Sequence, residues 1–402
     1  MFLQDTLLAI LKDQALPDVP EPEIGRETAA RLPWRSRQAI ALTGARRSGK
    51  SVLLAQVMKR AKESFYCNLE DTRLYGLSAE DFPTLLSIVD QLAPKGAPIG
   101  LDEVQEAAEW QRLVRSLLDR GRAVYLTGSN ASLLGRELGA KLTGRHLSFE
   151  VFPFSYSEYL AYTGQNAGAG SLRAYLDDGG FPTYLRERTP QILQELLRDI
   201  VQRDIAARHR LRETRHVMNL ALFLLANTGR PFSLQGLTKS LAIPTVAQTS
   251  RYVEYLEDAY LLFAVQRFSA SFKQRVVAPS KYYAVDNGLR RATSPQATPD
   301  IGHRLENAVF LALRARGQRV CYAAEKDSWE CDFVTDREAI QVCAELTPFN
   351  REREVVGATQ GARLPGRRRV LILTLDQRDR LVADGKAIEV KPAWEWLAAP
   401  GR

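Results

Sequence analysis

Cysteine is scarce in this chain of 402 residues. The four present, Cys67, Cys321, Cys331 and Cys343, are too few and too scattered for a disulfide framework. None belongs to a Cys-x-x-Cys pair, which argues against a zinc site and for a reducing compartment. Long apolar runs are missing too. The longest, Leu220 to Ala226 with its neighbours, has the length of a core helix and falls short of a membrane span. The opening stretch, MFLQDTLLAILKDQ, is amphipathic and carries Asp5, so it makes a poor signal peptide. Together these absences lead to the expectation of a cytoplasmic protein with no membrane partner.

What is present is ordinary globular material, 45% hydrophobic and 25% charged, with length for about two or three domains. The net charge of +8 favours an anionic partner such as nucleic acid. Cations are in local excess at 198–215 and at 363–369, and the first of these reads equally well as a solvated helix face.

The strongest signal is LTGARRSGKSVLL, residues 42–54. A short β-compatible run, Gln38 to Thr43, precedes two glycines, and apolar residues at helical spacing follow (Val52, Leu53, Ala55, Val57). Strand, glycine-bounded loop and helix start together form an anion cradle, because backbone N–H groups converge there and the helix dipole favours negative charge. Gly44-x-x-x-x-Gly49-Lys50-Ser51 has the spacing of a phosphate-binding P-loop. Lys50 is expected to reach the β/γ-phosphates of ATP, and the Ser51 hydroxyl to ligate Mg²⁺. Gly44, Arg47, Ser48, Gly49, Lys50, Ser51 and Val52 are the expected nucleotide-contacting positions.

A P-loop needs an acidic partner at the end of a neighbouring buried strand. APIGLDEVQ (97–105) supplies Asp102, to hold the metal opposite Ser51, and Glu103, to polarise the attacking water. The next strand, RAVYLTGSN (122–130), ends in small polar residues. Asn130 is the candidate to face the γ-phosphate, with Ser129 or Thr127 as substitutes; a helix N-cap fits the same residues. A helix ending at Gly144 follows. It places Arg136 and Arg145 where an arginine finger for an adjacent subunit would lie, although either also suits a surface position.

With these motifs the chain resembles the predicted bacterial and archaeal ATPases of the AAA superfamily, whose ATPase core precedes an uncharacterised C-terminal domain. The resemblance rests on LTGARRSGKSVLL, FYCNLEDTRLYGL, GLDEVQ, YLTGSNASLLGRELGAKLTGR and FEVFPFSYSEYL. It continues through GGFPTYL, LLRDIVQRDIAAR, YLEDAYLLFAVQRFS and KYYAVDNGLR, nearly the whole chain. It implies an AAA-type ATPase and supports the roles given to Lys50, Ser51, Asp102 and Glu103. The family pattern also places acidic residues just after the second strand, where Asn68, Glu70 and Asp71 stand in this chain, and turn chemistry alone accounts for Asn and Asp there.

The C-terminal half reads differently. Residues 186–215 are helical in pattern, and 231–265 give a short helix, a turn at Ile243-Pro244, a longer helix and a strand. That order matches a winged helix-turn-helix, whose second helix would present Thr245, Gln248, Thr249 and Arg251 to DNA, or would serve packing instead. The last hundred or so residues follow the αβββαβ order of a restriction-endonuclease-like fold. Glu306, Asp332 and Gln341 fall at its metal-site positions. Gln is a weak ligand for a hard cation and Cys343 cannot replace a lysine, so cleavage is not expected unless Glu345 or Lys326 substitutes.

The expected organisation is α/β: an AAA-type ATPase domain at 1–165, a helical lid and linker at 166–225, a winged helix at 226–275 and an endonuclease-like domain at 276–402. The expected activity is ATP hydrolysis with Mg²⁺ by a homo-oligomer, a hexameric ring being one form, that remodels duplex or branched DNA. A nucleotide-dependent switch for a protein partner and an ATP-gated nuclease are the alternatives.

Overall fold

The computed structural model describes residues 2–20, 23–128, 144–269, 271, 275, 277–293 and 301–399. These fall into two compact units, Met1–Phe152 and Pro153–Arg402.

The first unit is built on a sheet of five parallel strands: β1 (Ala39–Thr43), β2 (Phe65–Asn68), β3 (Ile99–Asp102), β4 (Val124–Gly128) and β5 (His146–Glu150). Their spatial order is β2-β3-β4-β1-β5. β1 shows why both faces are covered, since its apolar residues alternate between two cores. Ile40 and Leu42 join Leu53, Leu54, Val57 and Met58 of the helix Lys50–Lys59. Ala39 and Ala41 belong to the opposite core, with Leu85 and Ile88 of the helix Phe82–Leu92 and Leu113 of the helix Trp110–Asp119. Gly100 lets the helix approach β3 closely, because a Cβ there would stand 3.1 Å from Met58.

Contrary to the expectation from the sequence, the strand carrying Asp102 does not neighbour the P-loop strand, because β4 lies between β1 and β3. The helix Lys50–Lys59 packs on β4 and β3 more than on β1, so its first turn still reaches Asp102.

The second unit begins with four helices, Tyr156–Thr163, Ala169–Asp178, Pro182–Glu187 and Gln191–Asp199, the last running on as a π-helix through Ala207. Ser155 and Glu158 form a capping box at the first of them. The glycine-bearing motifs GGFP and VDNG meet at the buried Asp286, which accepts hydrogen bonds from the N–H groups of Gly180 (2.6 Å) and Leu289 (2.8 Å). A Cβ on Gly179 would stand 2.3 Å from the same carboxylate, so no larger residue fits.

The helix Arg215–Ala226 leads into β6 (Pro231–Phe232), helices Leu234–Ser240 and Val246–Asp258, then β7 (Leu262–Val265) and β8 (Ser280–Ala284). The three strands form an antiparallel sheet in the order β6-β8-β7.

After helices Asn287–Thr293 and Ile301–Ala315 comes a mixed sheet of β9 (Cys321–Glu325), β10 (Trp329–Val334), β11 (Glu338–Val342), β12 (Arg369–Thr374), β13 (Asp379–Ala383) and β14 (Lys386–Pro392). The hairpin β13–β14 and the last helix, Ala393–Ala398, extend beyond the αβββαβ order. The helix Arg351–Ala362 lies tight on β10, since a Cβ on Gly357 would meet the Glu330 carbonyl at 2.1 Å. No helix among the described residues is long and apolar enough to cross a membrane.

Candidate functional site

The carboxyl ends of β1, β2, β3 and β4 meet at one edge of the five-stranded sheet, with Asn68 beside Asp102 and Thr43 beside Gly128. Gly44 follows β1 directly and backs onto the Val151 carbonyl, where a Cβ would stand at 2.1 Å. Gly49 closes the loop in the left-handed conformation, φ 95°, and begins the helix Lys50–Lys59. A side chain there would also strike the Arg26 guanidinium, 2.7 Å from the Cβ position.

Lys50 is buried and its ammonium donates to the carbonyls of Gly44 (3.1 Å) and Ala45 (3.0 Å). Ser48 is fully buried, and among the described residues its Oγ has no hydrogen-bond partner. A cation, an unmatched hydroxyl and a loop that excludes Cβ atoms are what a phosphate cradle requires, so the residues present fit a nucleotide triphosphate. Arg47 is exposed with φ 62°, and Val52 is half-buried one residue beyond Ser51.

The Ser51 hydroxyl donates to Asp102 Oδ1 at 3.0 Å, so the pair expected to share a metal is brought together. Two further hydroxyls converge on that carboxylate. Tyr66 donates to Oδ2 at 2.8 Å, and Thr127 donates to Oδ1. All three donors are neutral, leaving the negative charge of Asp102 uncompensated within this cluster. Burial pushes the Asp102 carboxyl above the usual carboxylate range, and the hydroxyls of Thr127 and Tyr66 pull it partly back. Burial and the same carboxylate push the Tyr66 phenol up, so it stays a donor. Oxygen donors of this kind fit a hard divalent cation.

Glu103 occupies a left-handed conformation at φ 50°, ψ 54°, an uncommon state for a non-glycine residue. It is held by its own N–H, which donates to Thr127 Oγ1 at 2.9 Å, and by the Gln105 amide donating to its carboxylate. One threonine thereby fixes both acidic residues. Thr127 entered the sequence reading as a substitute for Asn130, and Tyr66 did not enter it.

Asn130, Ser129 and Arg136 lie outside the described residues. Arg145 is exposed and paired with Asp119 at 2.5 Å. Its carbonyl accepts from Ala39 N–H, which places it at the opposite edge of the sheet from Lys50. Asn68 Oδ1 accepts from the Glu70 N–H, and Asp71 Oδ1 from the Arg73 N–H, as turn residues do.

In the second unit, Thr245 caps the helix Val246–Asp258 by accepting from the Gln248 N–H, and Arg251 is exposed on it. Gln248 is half-buried and donates to the Tyr252 hydroxyl. Thr249 corrects the expected recognition set. It is fully buried and shares a 2.7 Å hydrogen bond with Thr238 on the preceding helix, so it cannot reach a groove.

Glu306 and Asp332 come together at a cleft of about 790 Å³, with Gln341 close by. The Gln341 amide is used within the protein, accepting from Asp332 N–H at 3.2 Å and donating to Glu354 at 2.7 Å. Neither exposed candidate for a missing lysine or acid, Lys326 or Glu345, bridges the carboxylates; Lys281 from β8 does. Lys281 is 25 residues from Glu306 and 51 from Asp332, and no local pattern marks it.

A family model described as an AAA domain matches residues 36–160, and one described as a domain of unknown function (DUF8612) matches residues 169–300. An uncharacterized protein of Methanocaldococcus jannaschii is 32% identical over 388 residues, covering 88% of this chain and 86% of that protein. An uncharacterized protein of Haemophilus influenzae is 31% identical over 313 residues, covering 73% of this chain and 78% of that one. Among solved structures, a signal transduction ATPase with numerous domains and a tetratricopeptide repeat sensor from Pyrococcus horikoshii is similar at 14% identity and TM-score 0.30. That match covers 74% of this chain and 46% of the other. The replication initiator DnaA, bound to AMPPCP and single-stranded DNA, is similar at 13% identity and TM-score 0.24, with 57% and 85% covered.

Proposed function

The chain belongs to the same family as these archaeal and bacterial relatives, and on that premise we propose that its AAA domain hydrolyses ATP to remodel duplex or branched DNA. The observation that carries the ATPase reading is the meeting of Ser51 and Asp102 beside Lys50, with Glu103 next in the chain.

On this reading Lys50 leaves the Gly44 and Ala45 carbonyls for the β/γ-phosphates, and the loop N–H groups up to Gly49 cradle the same charge. Ser51 and Asp102 hold Mg²⁺, which when bound neutralises charge on the phosphate oxygens. Glu103 takes the proton of the attacking water, its position set by the Thr127 bond to its N–H. Arg145, remote from its own P-loop, serves a neighbouring subunit after exchanging Asp119 for phosphate.

For DNA, the support is the net charge of +8 and the exposed start of the helix Val246–Asp258. We read β6 to β8 with their helices as a winged helix, and the sheet β9 to β14 as an endonuclease-like fold without cleavage. Thr245, Gln248 and Arg251 then face the duplex.

The test is an ATPase assay over single-stranded, duplex and four-way DNA, with particle size measured with and without nucleotide. Stimulation by one DNA form, with binding that falls steeply with salt, is expected. An ATPase indifferent to every DNA but stimulated by a co-purifying protein would replace remodelling by a protein-directed switch. Absence of ATP turnover would reject the whole reading.

A further inference from the structure

The cleft beside β10 gathers carboxylates from two elements around one ammonium. Lys281 on β8 is fully buried, and its Nζ lies 3.1 Å from Glu306 on the helix Ile301–Ala315. It lies 3.1 Å from Asp332 and 2.7 Å from Glu330, both on β10. A lysine ammonium has three hydrogens to give, and here it meets three carboxylates. Tyr283, two residues along β8, donates to the same Glu306 oxygen at 2.6 Å, while Asp332 Oδ2 accepts from Val342 N–H at 2.9 Å.

These separations are those of ion pairs. A hard divalent cation draws its oxygens to about 2.0–2.6 Å. Among the described residues no three His, Cys, Asp or Glu side chains are placed to hold a metal ion. The point on which Glu306, Asp332 and Glu330 converge is taken by nitrogen.

We infer that Lys281 is the resident cation of this cleft, standing where a divalent metal would otherwise bind and tying β8 to the elements around it. The inference needs only these side chains and does not rest on the ATP chemistry proposed above. The ammonium donates to Glu306 and Asp332 and pairs in charge with Glu330, and unlike a divalent metal it does not lower the pKa of a bound water, so the cleft as built has no route to metal-assisted cleavage of a phosphodiester.

The experiment is Mn²⁺ titration of the full chain without nucleotide, followed by electron paramagnetic resonance. An Asp102→Asn background removes the other candidate metal carboxylate. No binding step that Asp332→Asn abolishes is expected while Lys281 is present. Lys281→Gln, which removes a unit charge from the centre of the cluster, is expected to raise Mn²⁺ affinity there at least about tenfold. A further Asp332→Asn change is expected to erase that gain. An Asp332-dependent Mn²⁺ site in the background protein, or Mn²⁺-dependent DNA cleavage lost in Asp332→Asn, would overturn the inference and make Lys281 the lysine of a working nuclease. A Lys281→Gln protein that melts like its parent yet gains no Mn²⁺ site would overturn it too. Should Lys281→Gln fail to fold, the parent titration decides alone.

Discussion

Two buried carboxylate sites, one in each unit, differ in what their acids were given as partners. Asp102 meets three hydroxyls, from Ser51, Tyr66 and Thr127, which donate hydrogen bonds and carry no charge. Glu306 and Asp332 meet an ammonium. Hydroxyls orient a carboxylate and leave its charge available to an arriving cation. An ammonium offsets one unit of that charge and occupies the point where an arriving cation would sit. Two clusters of similar composition therefore support opposite readings, and the partner rather than the acid decides between them.

The comparison can be broken most sharply at Glu103. Glu103→Gln is expected to lower ATP hydrolysis by about 10²–10⁴-fold while ATP still binds, measured by turnover and by equilibrium nucleotide binding. Lys50→Ala should instead weaken binding itself. Wild-type turnover in Glu103→Gln would remove its assignment as the base.

In the other unit, Lys281→Met leaves buried carboxylates without their cation and is expected to destabilise folding by about 3–5 kcal/mol in denaturant titrations. A loss near zero would mean that the cluster relaxes to neutral at little cost.

A third buried carboxylate extends the series. Asp286 is held by backbone N–H groups, and burial raises it to about 6 despite them. Its native value lies above the unfolded one, so its contribution to stability is complete below about pH 4 and is lost as pH rises through about 6. The loss amounts to about 3 kcal/mol, and Asp286→Asn is expected to flatten melting temperature across that window.

The smallest change is expected for Thr127→Val, which frees Glu103 from one hydrogen bond and takes one of three hydroxyls from Asp102. A fall of about tenfold in turnover corresponds to one such bond in the transition state. No change would leave Tyr66 and Ser51 sufficient.

The P-loop and the Asp102-Glu103 pair were legible because their chemistry depends on local spacing. Gly44, Gly49, Lys50 and Ser51 sit in one turn, and an acidic pair after a short apolar run marks a strand end. Tyr66, Thr127 and Lys281 follow no such rule. Tyr66 looks like any apolar strand residue, and its partner lies 36 positions away on the adjacent strand. Thr249 was misplaced for a related reason: which side of the helix Val246–Asp258 is covered depends on how Leu234–Ser240 packs against it, and helical period alone does not say. Arg145 could be named but not located until β5 was seen beside β1. The glycines of GGFP and VDNG stood out in the sequence, but their common reason, Asp286, needed both segments side by side.

Arg26 ties the P-loop to the way out of the first unit. Its guanidinium donates to the Ser48 carbonyl at 3.1 Å and to the Phe152 carbonyl at 2.5 Å, while Gly44 rests on Val151 just before it. The phosphate-facing turn and the peptide through which the chain departs thus share one anchor. A shift of that turn when nucleotide arrives or leaves would pull at once on the last residues of the unit, as a bolt set through two plates moves both.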